Sequence, residues 1–239
     1  MTLSDMSSGV RVLDKASLLL SALEAEPASL ATLVAKTGLP RPTAHRLAVA
    51  MERLDLLTRD TAGRFGLGPR LADMSAGARQ NSLLLAAEPV LERLHELTGV
   101  SAQLHQRRGV RRVCVLSAGS QDDSRQTGPI GAASPMRYGS IAQVLLAWED
   151  PDQLYEGLRE ARFNGATLSG VRRQGWAESV GDDGPGSASI AAPVRGLDNR
   201  VVGAVALSGP VAQLSRNPGR RYAGHVIDAA ILIGERLSR

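Results

Sequence analysis

The sequence predicts an α+β chain with an N-terminal three-helix winged helix-turn-helix, a helical linker, and a C-terminal α+β domain. Three observations carry that prediction. Residues 30–71 read as a short helix, a glycine turn, a second helix and a two-stranded hairpin ending at Gly68-Pro69. From Val100 the apolar spacing changes from a helical to a strand-like period. Beyond that point strand pairs alternate with helices and the chain closes in a helix, the pattern of an antiparallel sheet flanked by helices.

Residues 1–8 read as a loose arm, and Ser8 is placed to cap a helix over about residues 10–23. Val12, Leu13, Ala16, Leu19, Leu20 and Leu23 are its expected inward residues, and Pro27 ends it. Ser29 is an N-cap for the next helix, whose apolar stripe is Leu30, Leu33 and Val34. Gly38 stands where a left-handed residue would end that helix, and Pro42 sits in the first turn of the following one. This is helix-turn-helix spacing.

In the second of these helices Leu47, Met51 and Leu54 fall at i, i+4 and i+7 and are predicted to pack inward. Thr43, Arg46, Ala50 and Arg53 lie on the other side, with Arg41 just before the helix. A face of small and cationic residues suits a major groove, because arginine reads guanine edges or phosphates and small residues permit close approach. Strands at 56–59 and 64–67 flank Asp60-Thr61-Ala62-Gly63, and Arg59 and Arg64 would charge that wing. Between Lys36 and Arg70, Lys36, Arg41, Arg46, Arg53, Arg59, Arg64 and Arg70 face only Glu52, Asp55 and Asp60. The blander reading is a helical hairpin with a solvated basic face.

Residues 69–82 read as a helical connector of small and polar residues. A stronger helix follows at 83–98, closed by Gly99, with Pro89 predicted to kink it or to start it afresh near Glu88. Residues 101–109 and 110–118 are two strands around a Gly109 turn, and 121–127 is loop. Helices are expected at 139–150 and from Pro151 to about 162. Residues 165–186 are glycine-rich, with a short helical piece around 172–176. Strands at 189–196 and 201–209 surround Asp198-Asn199, and a helix runs from Gly219. The expected domains are therefore 1–70, a linker helix at 71–82, and 83–239.

With 239 residues, 43% of them hydrophobic, and a mean hydropathy of -0.08, the composition is that of a globular protein with sizeable cores. A net charge of +4 and a pI of 9.8 are compatible with nucleic acid and do not demonstrate it. The single Cys114, between Val113 and Val115, fits a reducing compartment and reads as a buried, inert thiol. The N-terminus lacks a signal-peptide core and no apolar run is membrane-length, so a cytoplasmic location is expected.

Catalytic patterns are missing from the sequence. There is no G-x-S-x-G, no S-x-x-K and no H-E-x-x-H, and His45, His95, His105 and His225 are scattered. His95 and His105 read as surface or satisfied core residues. Gly66-Leu67-Gly68 lacks the third glycine of a dinucleotide turn. Gly181, Asp182, Asp183, Gly184 and Gly186 lack EF-hand spacing and read as a solvated loop. No metal or cofactor is expected, and the chain is not read as an enzyme.

Small hydroxyl residues beside apolar ones do stand out: Ser140 near Met136 and Ile141, Ser187 and Ser189 in one strand, and Ser208 in the next. Ser187 and Ser189 share a strand face. Such a set can bind a small polar ligand in a largely apolar cup; exposure or backbone pairing of these serines is the alternative.

Several blocks resemble the IclR family of bacterial transcriptional regulators, over nearly the whole chain. VRVLDKASLLLSAL, LATLVAKTGLPRPTAHRL and GRFGLGPRLADM are similar to its winged helix-turn-helix. PIGAASPMRYGSIAQVLLAW and IAAPVRGLDNRVVGAVALSGP are similar to its GAF-like effector domain. The closest resemblance is to an actinobacterial subgroup associated with leucine biosynthesis. The resemblance implies a homodimer or dimer of dimers on pseudo-palindromic double-stranded operator DNA, with occupancy changed by a small metabolite. It places the effector pocket on Ser140, Ile141, Ser179, Ser187, Ser189 and Ser208.

Departures from the family pattern are specific. Ala142-Gln143-Val144 stands where Gly-Lys-Ala is usual, Ser189 where cysteine is usual, Ser179 where aspartate is common, and Asp182 where glutamate is common. Arg137 is a cation that could lie near the pocket rim. The DNA contacts expected are Arg41, Thr43 and Arg46 on base edges and nearby phosphates, Arg53 on the same helix face, and Arg59 and Arg64 on the backbone or minor groove. An enzyme with an accessory winged helix, or a winged-helix protein-interaction module, are the rival classes.

Overall fold

A computed structural model describes residues 8–119 and 129–238, which leaves the predicted loop at 121–127 outside the described residues. The chain divides into two compact units, residues 1–80 and 81–239.

The first unit holds α1 (Arg11–Ser21), α2 (Leu30–Thr37), α3 (Arg41–Arg53), β1 (Leu57–Arg59) and β2 (Phe65–Leu67). Ser29 caps α2 by accepting from Thr32 N–H at 3.2 Å, and Gly38 ends it at φ +68°, a left-handed conformation that favours glycine. The hairpin pairs Leu57 with Leu67 and Arg59 with Phe65. Ala28 exchanges two 2.8 Å backbone bonds with Phe65, which ties the segment before α2 to the wing. Leu19, Leu33, Ala44, Ala48, Met51, Leu57 and Phe65 form the core. Gly68 accommodates a close crossing, since a Cβ there would stand 2.2 Å from the Asp55 carbonyl oxygen.

Three expectations fail in this unit. Ser8 does not cap α1: Val10 occupies the N-cap, and Ser8 instead donates its N–H and hydroxyl to Asp14 at 2.8 and 2.6 Å. Val12 and Leu13 are 54% and 58% exposed. Both lie on the first turn of α1; Val12 falls on the same helical face as Leu19, seven residues on, but at the end of the helix beyond the buried core. In α3 the inner seam is Ala44, Ala48 and Met51, with Leu47 half-buried and Leu54 exposed. Alanines let α3 approach its neighbours closely, and Leu54 falls after the last helical turn, just before Asp55 reverses the chain at φ +58°.

One helix, α4 (Pro69–Thr98), covers both the predicted connector and the helix expected after it. Pro89 lies inside it and breaks nothing that the helix cannot spare, since a proline removes one intrahelical bond. Gly99 ends it at φ +67°.

The second unit is built on a six-stranded antiparallel sheet in the order β5-β4-β3-β8-β7-β6. Its strands are β3 (Ser101–Arg108), β4 (Arg111–Ala118), β5 (Ala133–Pro135), β6 (Ala177–Val180), β7 (Ser187–Arg195) and β8 (Val201–Pro210). Alternation assigns the faces. Leu104, Ile190, Val194, Val205 and Leu207 join Leu91 and Leu94 of α4 and Val226 and Ile233 of the last helix in one core. Ala191, Ala204 and Ala206 turn the other way, toward a second core with Val144, Leu146 and Leu168.

The helices of this unit are α5 (Ser140–Leu146), α6 (Pro151–Leu158), α7 (Gly165–Gln174), α8 (Val211–Leu214) and α9 (Pro218–Leu237). The glycine-rich stretch is more regular than its composition predicts. An Asn164–Thr167 capping box starts α7 upstream of the expected helical piece, Gly175 ends it at φ +81°, and β6 follows. Neither β5 nor β6 was predicted, because strands of three and four residues are too short to show a period. Helices α5 and α6 are shorter than expected.

Candidate nucleic-acid interface and effector cavity

On α3, Arg41, Arg46 and Arg53 are exposed, as are His45 and Ala50, while Thr43 is half-buried. Arg46 and Arg53 are seven residues apart on one helix, about 10.5 Å along its axis and on nearly the same face. Among the described residues no ion pair engages Arg41, Arg46 or Arg53. His45 had no signal in the sequence beyond its place one turn after Arg41.

The wing cations are held differently. Arg59 Nε lies 3.1 Å from Glu52 Oε2 of α3, and the guanidinium stacks 4.2 Å from the centre of the Phe65 ring. Arg64 Nε lies 2.7 Å from Asp60 Oδ2. Asp60 also accepts from the backbone N–H groups of Ala62 and Arg64 at 3.0 and 2.9 Å. The Arg64 backbone and side-chain bonds hold its carboxyl below the usual aspartate range. Asp60 therefore sets the shape of the turn, and both wing arginines are braced against their own domain.

In the second unit a polar row crosses the sheet. Ser179 of β6 pairs in register with Ser189 of β7, Ser189 with Ser208 of β8, and Ser208 with Ser101 of β3. The Ser140 N–H, at the start of α5, donates to Ser179 Oγ at 3.2 Å. Ser189 Oγ lies 2.8 Å from Ser140 Oγ and 2.9 Å from Ser179 Oγ. Beside this triangle is a cavity of about 150 Å³.

Of the seven residues expected to bind an effector, Ile141, Ser187, Ser189 and Ser208 line the cavity. Ser140 and Ser179 support Ser189 from behind, and Met136 packs in the second core. The other walls are residues the sequence did not single out for this role, among them Gln103, His105, Arg112, Cys114, Tyr138 and Asp183. Three wider surface clefts reach about 440 to 480 Å³, yet of these four spaces only this one gathers buried polar side chains from several strands.

Arg112 corrects one expectation. It is 3% exposed, donates to the Tyr138 carbonyl, and pairs with Asp183. The loop from Gly181 to Gly186 is mostly exposed, as expected of a solvated loop, and Asp183 ties it to the buried Arg112. Arg137, expected near the rim, pairs instead with Glu160 at 2.6 Å on the surface. Burial pushes the Asp183 carboxyl up, against the pull of Arg112. Gly139 is required beside this pair. Its φ is +87°, and a Cβ would meet Arg112 Nη1 at 2.9 Å and Asp183 Oδ2 at 3.0 Å.

His105 is 6% exposed and is not a satisfied core residue. Nε2 lies 3.0 Å from Gln103 Oε1, an atom that can only accept, so the imidazole proton sits on Nε2. Among the described residues none is a hydrogen-bond partner of the buried Nδ1. Burial, aided by the charge of Arg112, holds the His105 pKa down to about 3. The available signal was period two: Gln103 and His105 alternate with Ala102 and Leu104, and Arg112 with Val113 before Cys114. Cys114 is 1% exposed and burial pushes its thiol up to about 11, which leaves it unreactive at neutral pH.

No group of three or more His, Cys, Asp or Glu side chains among the described residues is placed to hold a metal ion. No helix among them is long and apolar enough to cross a membrane.

A winged helix-turn-helix with an outward arginine face, followed in the chain by an α+β domain with a small polar cavity, is the architecture of a DNA-binding transcriptional regulator. Residues 12–61 match the IclR helix-turn-helix domain and residues 77–234 match the bacterial transcriptional regulator IclR C-terminal domain, so the chain belongs to the IclR family. The transcriptional regulator BhcR of Paracoccus denitrificans is 28% identical over 94% of this chain and 86% of its own. The glycerol operon regulatory protein of Streptomyces coelicolor is 30% identical over 88% of this chain and 89% of its own. A crystal structure of an IclR-family regulator from Rhodococcus superposes with a TM-score of 0.71 at 24% identity, covering 98% of this chain and 94% of that one. These families and relatives are regulators of transcription, not enzymes.

Proposed function

We propose that this regulator binds a pseudo-palindromic operator through α3 and the wing, as a homodimer or dimer of dimers, and that a small molecule in the serine-lined cavity changes its occupancy. The observation that carries the DNA half is the exposed, unpaired trio Arg41, Arg46 and Arg53 on the helix that follows the glycine turn. A recognition helix needs cations that no neighbour in its own domain has claimed. The cavity supports the ligand half. A ligand shifts DNA binding only by preferring one of two arrangements of the protein, and a recessed polar site gives it contacts to do so.

The test is footprinting of the purified protein on DNA beside its own gene, across several salt concentrations, with and without candidate metabolites. The resemblance to a leucine-biosynthesis subgroup nominates the DNA upstream of leucine genes as the second fragment. A protected pseudo-palindrome whose occupancy changes with one compound supports the reading. Absence of specific protection at every salt concentration overturns it.

A further inference from the structure

We propose that His45 is a specificity-determining residue of α3, its imidazole N–H reading a guanine edge in the major groove. This deepens the operator reading above and rests on it.

The Glu52–Arg59 pair marks the flank of α3 on which the wing stands. His45 precedes Glu52 by seven residues, about two turns, so both side chains leave the helix on nearly the same side. Thr43 lies about 160° round the helix from His45. It is half-buried, on the flank that carries Leu47, which packs against the core. The surface between the outer arginines and the wing therefore contains His45 and not Thr43. Along the axis, His45 is in the first half of α3, about 10.5 Å toward the N-terminus from Glu52. A recognition helix presents its N-terminal residues to base edges.

His45 is exposed and its imidazole is unclaimed. Among the described residues the hydrogen-bonded imidazoles are those of His95 and His105, and the one in ring contact is that of His225. Histidine is a short side chain and reaches a base only if the helix sits deep, which the exposed Ala50 on the outer face permits. Arg46, the next residue, leaves the helix about 100° further round, so the two side chains address different bases.

The chemistry selects guanine. An imidazole carries an N–H in either neutral tautomer. Guanine sets two acceptors side by side in the major groove, N7 and O6, and either one receives that proton. Adenine puts a donor beside its N7, and cytosine presents a donor alone.

The test is selection of binding sites by the full chain from a randomised duplex library, repeated with variants at position 45. Wild type is expected to enrich a guanine in each half-site, and His45→Ala to lose that preference, from about tenfold to none, while the other positions persist. His45→Gln, whose amide bonds adenine in bidentate fashion, is expected to move the preference at that position to adenine, a switch that a folding defect does not produce.

Unchanged preference at every position in His45→Ala overturns the proposal and leaves the operator reading standing. Uniform weakening on all sequences does the same, since that is the mark of a phosphate contact. Loss of preference for a base other than guanine refutes the guanine assignment, and loss in Thr43→Val with none in His45→Ala puts the reading on the opposite flank and refutes it for His45. Selection of no sequence by wild type overturns the operator reading, and this inference with it.

Discussion

Arg59 of the wing holds Glu52 of α3 at 3.1 Å, so the two elements proposed to face DNA are joined by an ion pair. With the two side chains 38% and 32% exposed, such a pair contributes at most about 1 kcal/mol to stability. Its larger effect is on the charge presented to DNA. Glu52→Gln is expected to leave the fold intact and to steepen the salt dependence of DNA binding by about one unit of log–log slope, as Arg59 becomes free to displace a counterion. An unchanged slope would show that Arg59 does not reach phosphate.

Arg46→Ala removes a cation that its own domain does not engage. Loss of about 1–3 kcal/mol of operator affinity is expected, together with a relaxed base preference at one position of each half-site. Gel retardation against operators randomised one base at a time measures both. Full affinity with unaltered preference would remove Arg46 from the base contacts.

Arg64→Ala should weaken binding to all sequences alike and lower the salt slope by about one unit. Its side chain also fixes the turn through Asp60, so the variant is compared with Arg64→Lys, which keeps the charge. Recovery of the slope by lysine would assign the effect to phosphate attraction and not to turn geometry.

Gly139→Ala forces a side chain into a conformation at φ +87° and against the Arg112–Asp183 pair. A destabilisation of about 1–3 kcal/mol in urea titration is expected from the backbone alone. The binding response to ligand should fall as well, since the pair cannot keep its position. Wild-type stability would show that the backbone there relaxes freely.

His105 makes acidification costly. An unfolded imidazole titrates near 6.5, whereas the folded one is held at about 3. Between those values the unfolded chain binds a proton that the folded chain refuses. Stability is therefore full above about pH 6.5 and falls with decreasing pH, by at most about 1.4 kcal/mol per unit. Asp183, whose carboxyl is shifted upward, contributes with the opposite sign in the acid range. The clean measurement is a difference: between pH 7.5 and 5, the wild type should lose more stability than His105→Gln. Parallel curves would place the titration elsewhere.

The first unit was the more legible in the sequence, because capping and turn chemistry is local. Ser29, Gly38 and the Asp60–Gly63 turn act on neighbours within four residues, and each does what its residue type suggests. Leu54 misled because periodicity assumes that the helix continues, and Asp55 ends it. The serines of the cavity wall were visible as hydroxyls in apolar strands. What no local pattern shows is that Arg112 and Asp183 meet, since 71 residues separate them. Nor does spacing say that His105 Nδ1 has no partner among the described residues, which depends on the strands around it.

The triangle of Ser140, Ser179 and Ser189 has one fixed arrow, the Ser140 N–H pointing at Ser179. The remaining two contacts join hydroxyl to hydroxyl, and either partner can give the proton. The three oxygens therefore form an open chain with Ser189, the member at the cavity wall, in the middle: it can give its proton inward to Ser140 or Ser179, or accept from both and turn its proton to the cavity. A guest arriving with a proton and one arriving with a lone pair meet the same surface set two ways. Replacing Ser140 with alanine shortens the chain to one contact, with Ser179, so Ser189 keeps one inward partner where it had two.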